Sequence, residues 1–310
     1  MNILVVNDLH SGSNYGPVTE DKIRNPYQKW VYAKITDVAK YCQSITLDYL
    51  VGDGDMVDGY ASKDSTSQWT TDVNDQVNCA IELLEKFKTP KTKVIGVGGS
   101  GYHRGKGSGF DGDRMVIEGL GGKFNKNTYY LNTPYGVIQF LHVGKNIKNE
   151  VNTIQINNGE IENHKVKLLV AGHLHRYEAY EKGSVKVVHC PCWQYPTDFM
   201  QGFGVSPTVD IGCLLIRVDE FGIDIRPLRF PIPFEITQEM SGWEDITEKQ
   251  IRKRNEIDLK KLSELSGISP QILQVVRNID GQRFGELQLP ATPEVKVEKI
   301  KINKMVIPKI

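Results

Sequence analysis

The sequence predicts an α/β protein built as a four-layer β-sandwich, two sheets face to face and flanked by helices, with a small helical C-terminal extension. Three observations predict it. In the first hundred residues short apolar runs alternate with longer stretches of helical periodicity, the pattern of strands joined by helices in a layered core. Between residues 136 and 218 apolar runs recur with turn residues between them, which predicts a second sheet. Pro227, Pro231 and Pro233 then punctuate the chain near residue 235, and the composition beyond them turns helical and more basic.

Taken in order, Ile3 to Val6 is an apolar run ending in Asn7-Asp8, as when a buried strand delivers polar residues to its C-terminal edge. A helix is predicted from about Gln28 to Gln43, with Trp30, Ile35, Val38 and Tyr41 sharing one stripe. A second strand, Tyr49-Leu50-Val51, enters Gly52-Asp53-Gly54-Asp55, a second helix covers about Asp72 to Phe87, and a third strand Lys93 to Val97. From Gly98 to Gly122 glycines and charges dominate, predicting a long surface loop with one or two helical turns over Arg114 to Gly119. The runs Gly136 to Val143, Val166 to Ala171, Val185 to Val188 and Ile211 to Val218 are assigned to the second sheet. The expected divisions are therefore a principal domain over 1–235, a helical extension over 236–285 and an irregular tail over 286–310.

Composition narrows the function. Lys plus Arg and Asp plus Glu are equal at 38 each, so no global field draws in nucleic acid or an anionic membrane, and any polyanion must be held locally. The N-terminus lacks the basic and apolar segments of a signal peptide, and no run is long enough to span a bilayer. Five cysteines, an odd number, read as reduced core residues. A cytoplasmic protein without membrane contact is expected. The spacing of Cys190-Pro191-Cys192 beside His189 is wrong for the usual zinc knuckle.

Four strand-to-loop junctions carry ligands for a hard cation. The first is Asp8-Leu9-His10, where alternation along an extended segment puts positions i and i+2 on one side. The second is Gly54-Asp55-Met56-Val57-Asp58-Gly59, the third Leu141-His142, and the fourth Gly172-His173-Leu174-His175. Each alone is weak, but four of only seven histidines fall at these junctions, and the coincidence points to a metal centre. Mixed imidazole and carboxylate donors suit Mn²⁺ first, with Fe or Zn²⁺ next, over Mg²⁺ or Ca²⁺.

In this order the motifs Asp8-x-His10, Gly54-Asp55-x-x-Asp58-Gly59, a Gly-rich junction, His142 and Gly172-His173-x-His175 resemble those of the calcineurin-like metallophosphoesterases, over about residues 1 to 230. The resemblance implies a double β-sandwich and a two-metal phosphoesterase. It implies one cation on Asp8, His10, Asp55 and His175, and a second on Asp55, His142 and His173, with Asp55 bridging. Such an arrangement sets two ions about 3.5 to 4 Å apart, where they activate water and clamp the phosphate. Asp58 is expected to orient neighbouring groups without touching metal, and Asp53 is a less favoured ligand.

One motif departs from the family. Where Gly-Asn-His-Asp or Gly-Asn-His-Glu usually follows the third strand, this chain has Gly98-Gly99-Ser100-Gly101-Tyr102-His103. Ser100 stands where the Asn ligand is expected and His103 lies two positions beyond the catalytic His. The pattern is similar to phage or bacterial-type members with Gly-Ser-x-x-His or Gly-Thr-x-x-His here. His103 is the candidate catalytic group, steadying charge or protonating the leaving oxygen. Ser100 is a candidate metal contact and Arg104 a candidate substrate contact, with Arg114 considered beside it.

Leu259 to Val276, with a central Gly267-Ile268-Ser269 turn and Lys249, Arg252, Lys253 and Arg254 upstream, has the pattern of a helix-turn-helix. A helical hairpin packed on the main domain has the same pattern. Three readings stay open: a phosphodiesterase or nuclease acting on nucleic acid, a phosphatase for small molecules or phosphoproteins, and a nucleic-acid-binding or assembly protein weakened in catalysis by Ser100.

Overall fold

The computed structural model describes residues 1–59, 68–103, 110–143, 147–160, 165–197 and 209–243. By its contacts the chain divides into Met1–Glu248 and Lys249–Ile310, and the second unit lies wholly outside the described residues. So do Arg104 and the helix-turn-helix pattern.

The first strand, β1 (Asn2–Val6), leads through α1 (Pro26–Ile45) to β2 (Tyr49–Asp53), then through α2 (Val73–Glu85) to β3 (Lys93–Val97) and through α3 (Gly112–Gly119) to β4 (Lys123–Asn125). These four strands pair in parallel in the order 1-2-3-4. The start of α1 is defined chemically. Pro26 sits in the first turn of α1 and the Asn25 side chain accepts from Gln28 N at 2.8 Å, a cap that stabilises a helix by about 1 kcal/mol.

The second half supplies β5 (Thr128–Thr133), β6 (Gly136–His142), α4 (Ile147–Glu160), β7 (Val166–Gly172), β8 (Glu178–Lys182) and β9 (Val185–His189). These strands form a five-stranded sheet ordered β5-β6-β7-β9-β8, with β6, β7 and β9 parallel and antiparallel strands at both edges. β10 (Gly212–Val218) and β11 (Ile223–Arg229) return to the first sheet, where β10 pairs antiparallel with β1. The run Ile211 to Val218 therefore belongs to the first sheet, not the second. Its near-continuous apolarity suits burial on both faces, a property the two sheets share, so periodicity could not assign it.

Alternation along the strands builds four layers. Ile3, Val5, Val51, Ile138, Phe140, Leu168, Val170 and Ile216 meet between the sheets. Leu4, Val6 and Leu50 face the other way onto α1 and α2, packing with Tyr27, Val31, Ile35, Val38, Cys42, Val77, Leu83 and Leu84. Leu141, Val166, Leu169, Val185 and Val187 cover the outer face of the second sheet with Val151 and Ile154 of α4. The predicted four-layer α/β sandwich is the observed one.

The stripe on α1 differs from the expected one. The buried face runs through Tyr27, Val31, Ile35, Val38 and Cys42, whereas Tyr41 is 38% exposed and its hydroxyl accepts from Arg217 at 3.1 Å. Tyr41 follows Val38 at three residues, but Cys42 at four lies closer to the stripe's axis and takes the buried place. All five cysteines are buried and unpaired. Residues 234–243 are helical, and Met240 is buried in the helix-side core. No described helix is long and apolar enough to cross a membrane.

Candidate metal centre

The C-terminal ends of β1, β2, β3, β6 and β7 open onto one place, and the loops leaving them are tied by backbone hydrogen bonds before any side chain is considered. Asp8 N donates to Gly54 O, His10 N to Asp55 O and Ser11 N to Met56 O, all at 3.0 Å, and Asp58 N returns to Ser11 O at 2.9 Å. The parallel pairing of β1 and β2 thus continues into the loops and sets Asp8, His10 and Asp55 side by side.

The backbone there is held in an uncommon conformation. Six non-glycine residues among those described have positive φ, and five of them are Asp8, His10, Asp55, His173 and His175, at 46° to 87°. Left-handed backbone costs a non-glycine residue on the order of 1–3 kcal/mol, and such strain clusters at functional sites. Close approach also requires glycine. A Cβ on Gly99 would lie 2.0 Å from Asp55 Oδ1, and one on Gly54, whose φ is +85°, would lie 2.5 Å from His142 Nδ1.

The structure brings all six predicted cage residues together. Asp8, His10 and His175 present donor atoms within 4.8 Å of one another, as do Asp55, His142 and His173. Asp8 Oδ1 lies 3.2 Å from His175 Nε2, 3.6 Å from His142 Nε2 and 3.7 Å from His10 Nε2. Asp55 Oδ2 lies 2.9 Å from His142 Nε2. His173 is the exposed member at the mouth, and its backbone N–H donates to Asp8 Oδ2 at 2.9 Å. Asn7 donates its side-chain amide to the same oxygen.

Hydrogen bonds outside the cage fix its imidazoles. His142 donates Nδ1–H to the Asp53 carbonyl at 2.6 Å, which leaves Nε2 as the donor atom facing Asp8 and Asp55. Asp58 lies 3.6 Å from His10 Nδ1 and 3.7 Å from His103 Nδ1, and its carbonyl accepts from His103 Nδ1 at 2.8 Å. The His103 ring stands edge-on to His10 at 4.5 Å between centroids, and His103 forms a third donor group with His10 and Asp55.

Charge follows from this packing. Burial alone would raise Asp8, but the imidazoles of His175, His142 and His10 hold it well below the usual carboxylate range. Burial likewise opposes ionisation of Asp55, and His142, His103 and His10 overcome it. Burial would lower His10, yet the neighbouring Asp58 and Asp8 carboxylates raise it to about 10. Burial, with the charge on His10, pushes His103 below the ordinary imidazole value.

The donor set fits divalent cations. Asp8 Oδ1, both His10 ring nitrogens, His175 Nδ1 and the Ser100 hydroxyl are buried polar atoms without a hydrogen-bond partner, a concentration that buried polar groups normally avoid. Oxygen and imidazole nitrogen together suit Mn²⁺, Fe or Zn²⁺. The Ser100 backbone N–H donates to Asp55 Oδ1 at 2.7 Å.

Other candidates lie elsewhere. Arg114 is 60% exposed and pairs with Glu118 at 2.8 Å along α3, a helix-surface ion pair. Asp53 is fully buried, with its carboxylate in none of the donor groups. Cys190 and Cys192 are buried with raised thiol pKa values, desolvation being the main cause, and they join no donor group among the described residues.

Two supporting carboxylates were not anticipated. Asp113, buried in the first turn of α3, accepts from Met56 N and Gly99 N, each at 2.7 Å. Asp210 accepts from Tyr177 N at 2.8 Å while its own N–H donates to His175 O at 2.9 Å. An acid just past a helix start ordinarily serves the helix itself, so sequence gives no signal for the long-range bonds of Asp113.

Fold and site together define a two-sheet α/β sandwich presenting a His/Asp cage at the strand ends. No protein-family model and no curated protein matches the chain. Solved structures do. A putative 5′-nucleotidase from Staphylococcus aureus is 11% identical, with 79% of this chain and 58% of that one covered, at a TM-score of 0.42. An archaeal phosphodiesterase is 10% identical over 74% of this chain and 100% of its own, at 0.40. Vps29 from Entamoeba histolytica, solved with Zn²⁺, is 14% identical over 74% and 100%, at 0.35. At such scores the function rests on this chain's own residues.

Proposed function

We propose that the chain is a metal-dependent phosphoesterase with a dinuclear centre, one cation on Asp8, His10, Asp55 and His175 and the other on Asp55, His142 and His173, Mn²⁺ being the first candidate. The observation that carries the reading is the pair of adjoining donor groups, Asp8–His10–His175 and Asp55–His142–His173, linked by Asp8 Oδ1 and His142 Nε2 at 3.6 Å. When bound, a pair of divalent cations supplies Lewis acidity toward phosphoryl oxygens and makes water acidic enough to attack at neutral pH.

The chain's own residues complete the chemistry. Asp58 keeps the His103 proton on Nδ1 through its carbonyl, so Nε2 is the ring atom left to take up a proton from the attacking water and pass it to the ester's leaving oxygen. The Asp53 carbonyl holds His142 in the tautomer that turns Nε2 inward. Ser100, at the sequence position where the resembled family carries Asn, orients Asp55 through its N–H and keeps a buried hydroxyl without a partner. Within the phosphoester class, the basic, helix-turn-helix-like sequence beyond residue 248 favours nucleic acid as substrate.

Hydrolysis of an aryl monoester, an aryl diester and single- and double-stranded DNA, each by chelator-treated full-length protein with and without Mn²⁺, tests both levels. Mn²⁺-dependent turnover of any of them supports the phosphoesterase, and DNA cleavage supports the narrower reading. No turnover of any substrate, with metal bound, would leave a binding or assembly protein. Preference for the monoester would instead favour a phosphatase.

A further inference from the structure

We propose that Asp113 is a positioning residue for the metal centre, clamping together the loop that carries Asp55 and the loop that carries Ser100. The inference rests on the dinuclear reading above and concerns how the bridging carboxylate is held.

The geometry is specific. Asp113 Oδ1 accepts from Met56 N, the residue after Asp55, and Oδ2 accepts from Gly99 N, the residue before Ser100, both at 2.7 Å. Ser100 N in turn donates to Asp55 Oδ1 at 2.7 Å. One buried carboxylate therefore ties the end of β2 to the end of β3, and the β3 loop closes the circuit on the Asp55 side chain. The space allows no slack, since a Cβ on Gly99 would fall 2.0 Å from Asp55 Oδ1.

Asp113 is itself held. It lies 1% exposed in the first turn of α3, whose N-cap is Asp111; burial and the Asp55 charge push its carboxyl up, while the N–H bonds from Gly99 and Met56 favour the ionised form. Hydrogen bonds from N–H groups to an ionised acceptor are about twice as strong as neutral ones. Both N–H groups belong to loops that end strands of the first sheet, so the two bonds fix Asp55 relative to Ser100. They do not contribute donor atoms of their own, because Asp113 belongs to none of the three donor groups.

The test compares wild type with Asp113→Asn and Asp113→Glu as full-length chains. Mn²⁺ affinity and stoichiometry are measured by calorimetry at a temperature well below each metal-free Tm. Asn keeps the size but offers an N–H₂ to one backbone N–H, and Glu keeps the charge but displaces it by one methylene. Partners of metal ligands typically contribute about 10–100-fold in metal affinity, and a loss of that size is expected in both variants for both cations, since Asp55 belongs to each ligand set. If Asp113→Asn does not fold, Asp113→Glu carries the comparison. A lowered Tm with wild-type Mn²⁺ affinity would make Asp113 a purely structural residue and overturn the inference alone. Absence of Mn²⁺ binding by the wild-type chain would overturn the dinuclear reading and this inference with it.

Discussion

His142 Nε2 lies 2.9 Å from Asp55 Oδ2, while the other nitrogen of the same ring donates to the Asp53 carbonyl at 2.6 Å. An imidazole placed by its backbone partner thus faces a carboxylate that is placed by Ser100. Asp55 belongs to two of the three donor groups, so its loss should act on both cations. Asp55→Asn is expected to lower Mn²⁺-dependent hydrolysis of an aryl diester by at least about 100-fold, and His173→Ala to do likewise, measured as kcat/KM. Undiminished turnover in either variant would remove the cage from the mechanism.

His103 should separate catalysis from metal loading. It contacts Asp58 through Nδ1 and stands beside His10, yet neither proposed ligand set includes it. His103→Ala is expected to keep the wild-type metal content by elemental analysis and to slow kcat by about 10²-fold, the lower range for a general acid or base. Loss of metal together with rate would move His103 into the ligand set.

Gly99 has no room for a methyl group against Asp55. Gly99→Ala must push the β3 loop off the carboxylate, at a cost of roughly 1–3 kcal/mol for an overpacked site. A lower metal-free Tm by thermal melting and a weaker Mn²⁺ affinity should appear together. An unchanged Tm would show that the loop yields freely.

How far these relationships were legible beforehand follows from the kind of interaction. Ile3–Val6, Tyr49–Val51 and Lys93–Val97 could be read as strands because burial on both faces leaves an unbroken apolar run, and polar residues following such runs mark strand ends. That placed Asp8, His10, Asp55, His142, His173 and His175 at the junctions where the structure has them. Edge strands gave no such signal, since β8 is mostly exposed and its Glu-Ala-Tyr-Glu-Lys sequence holds no apolar run. In α4 the described residues bury chiefly Val151 and Ile154 among Asn-rich neighbours, too sparse a stripe to declare a helix. Asp113 and Asp210 act through backbone N–H groups far away in sequence, and a backbone donor has no residue identity to read.

Proton competition should govern loading. In the metal-free protein His10 is raised to about 10, against burial, by Asp58 and Asp8. Its stabilising contribution is therefore complete below the ordinary imidazole value of 6.5 and is lost as the pH rises through about 10. Melting the chelated protein from pH 6 to 10.5 should show Tm falling over the upper part of that range, and His10→Ala should flatten that fall. Because a cation must expel the His10 proton, Mn²⁺ binding at pH 7.5 should release protons, seen as buffer-dependent calorimetric enthalpies. Buffer-independent enthalpies would contradict the protonated His10.

Anomalous diffraction at the manganese edge from crystals of the full chain soaked in Mn²⁺ tests the central claim most directly. Two peaks are predicted about 3.5 to 4 Å apart, the spacing of two-metal hydrolytic sites, one among Asp8, His10, Asp55 and His175 and the other among Asp55, His142 and His173. No peak within the cage, or a lone ion held by His10, Asp55 and His103, would contradict the dinuclear centre.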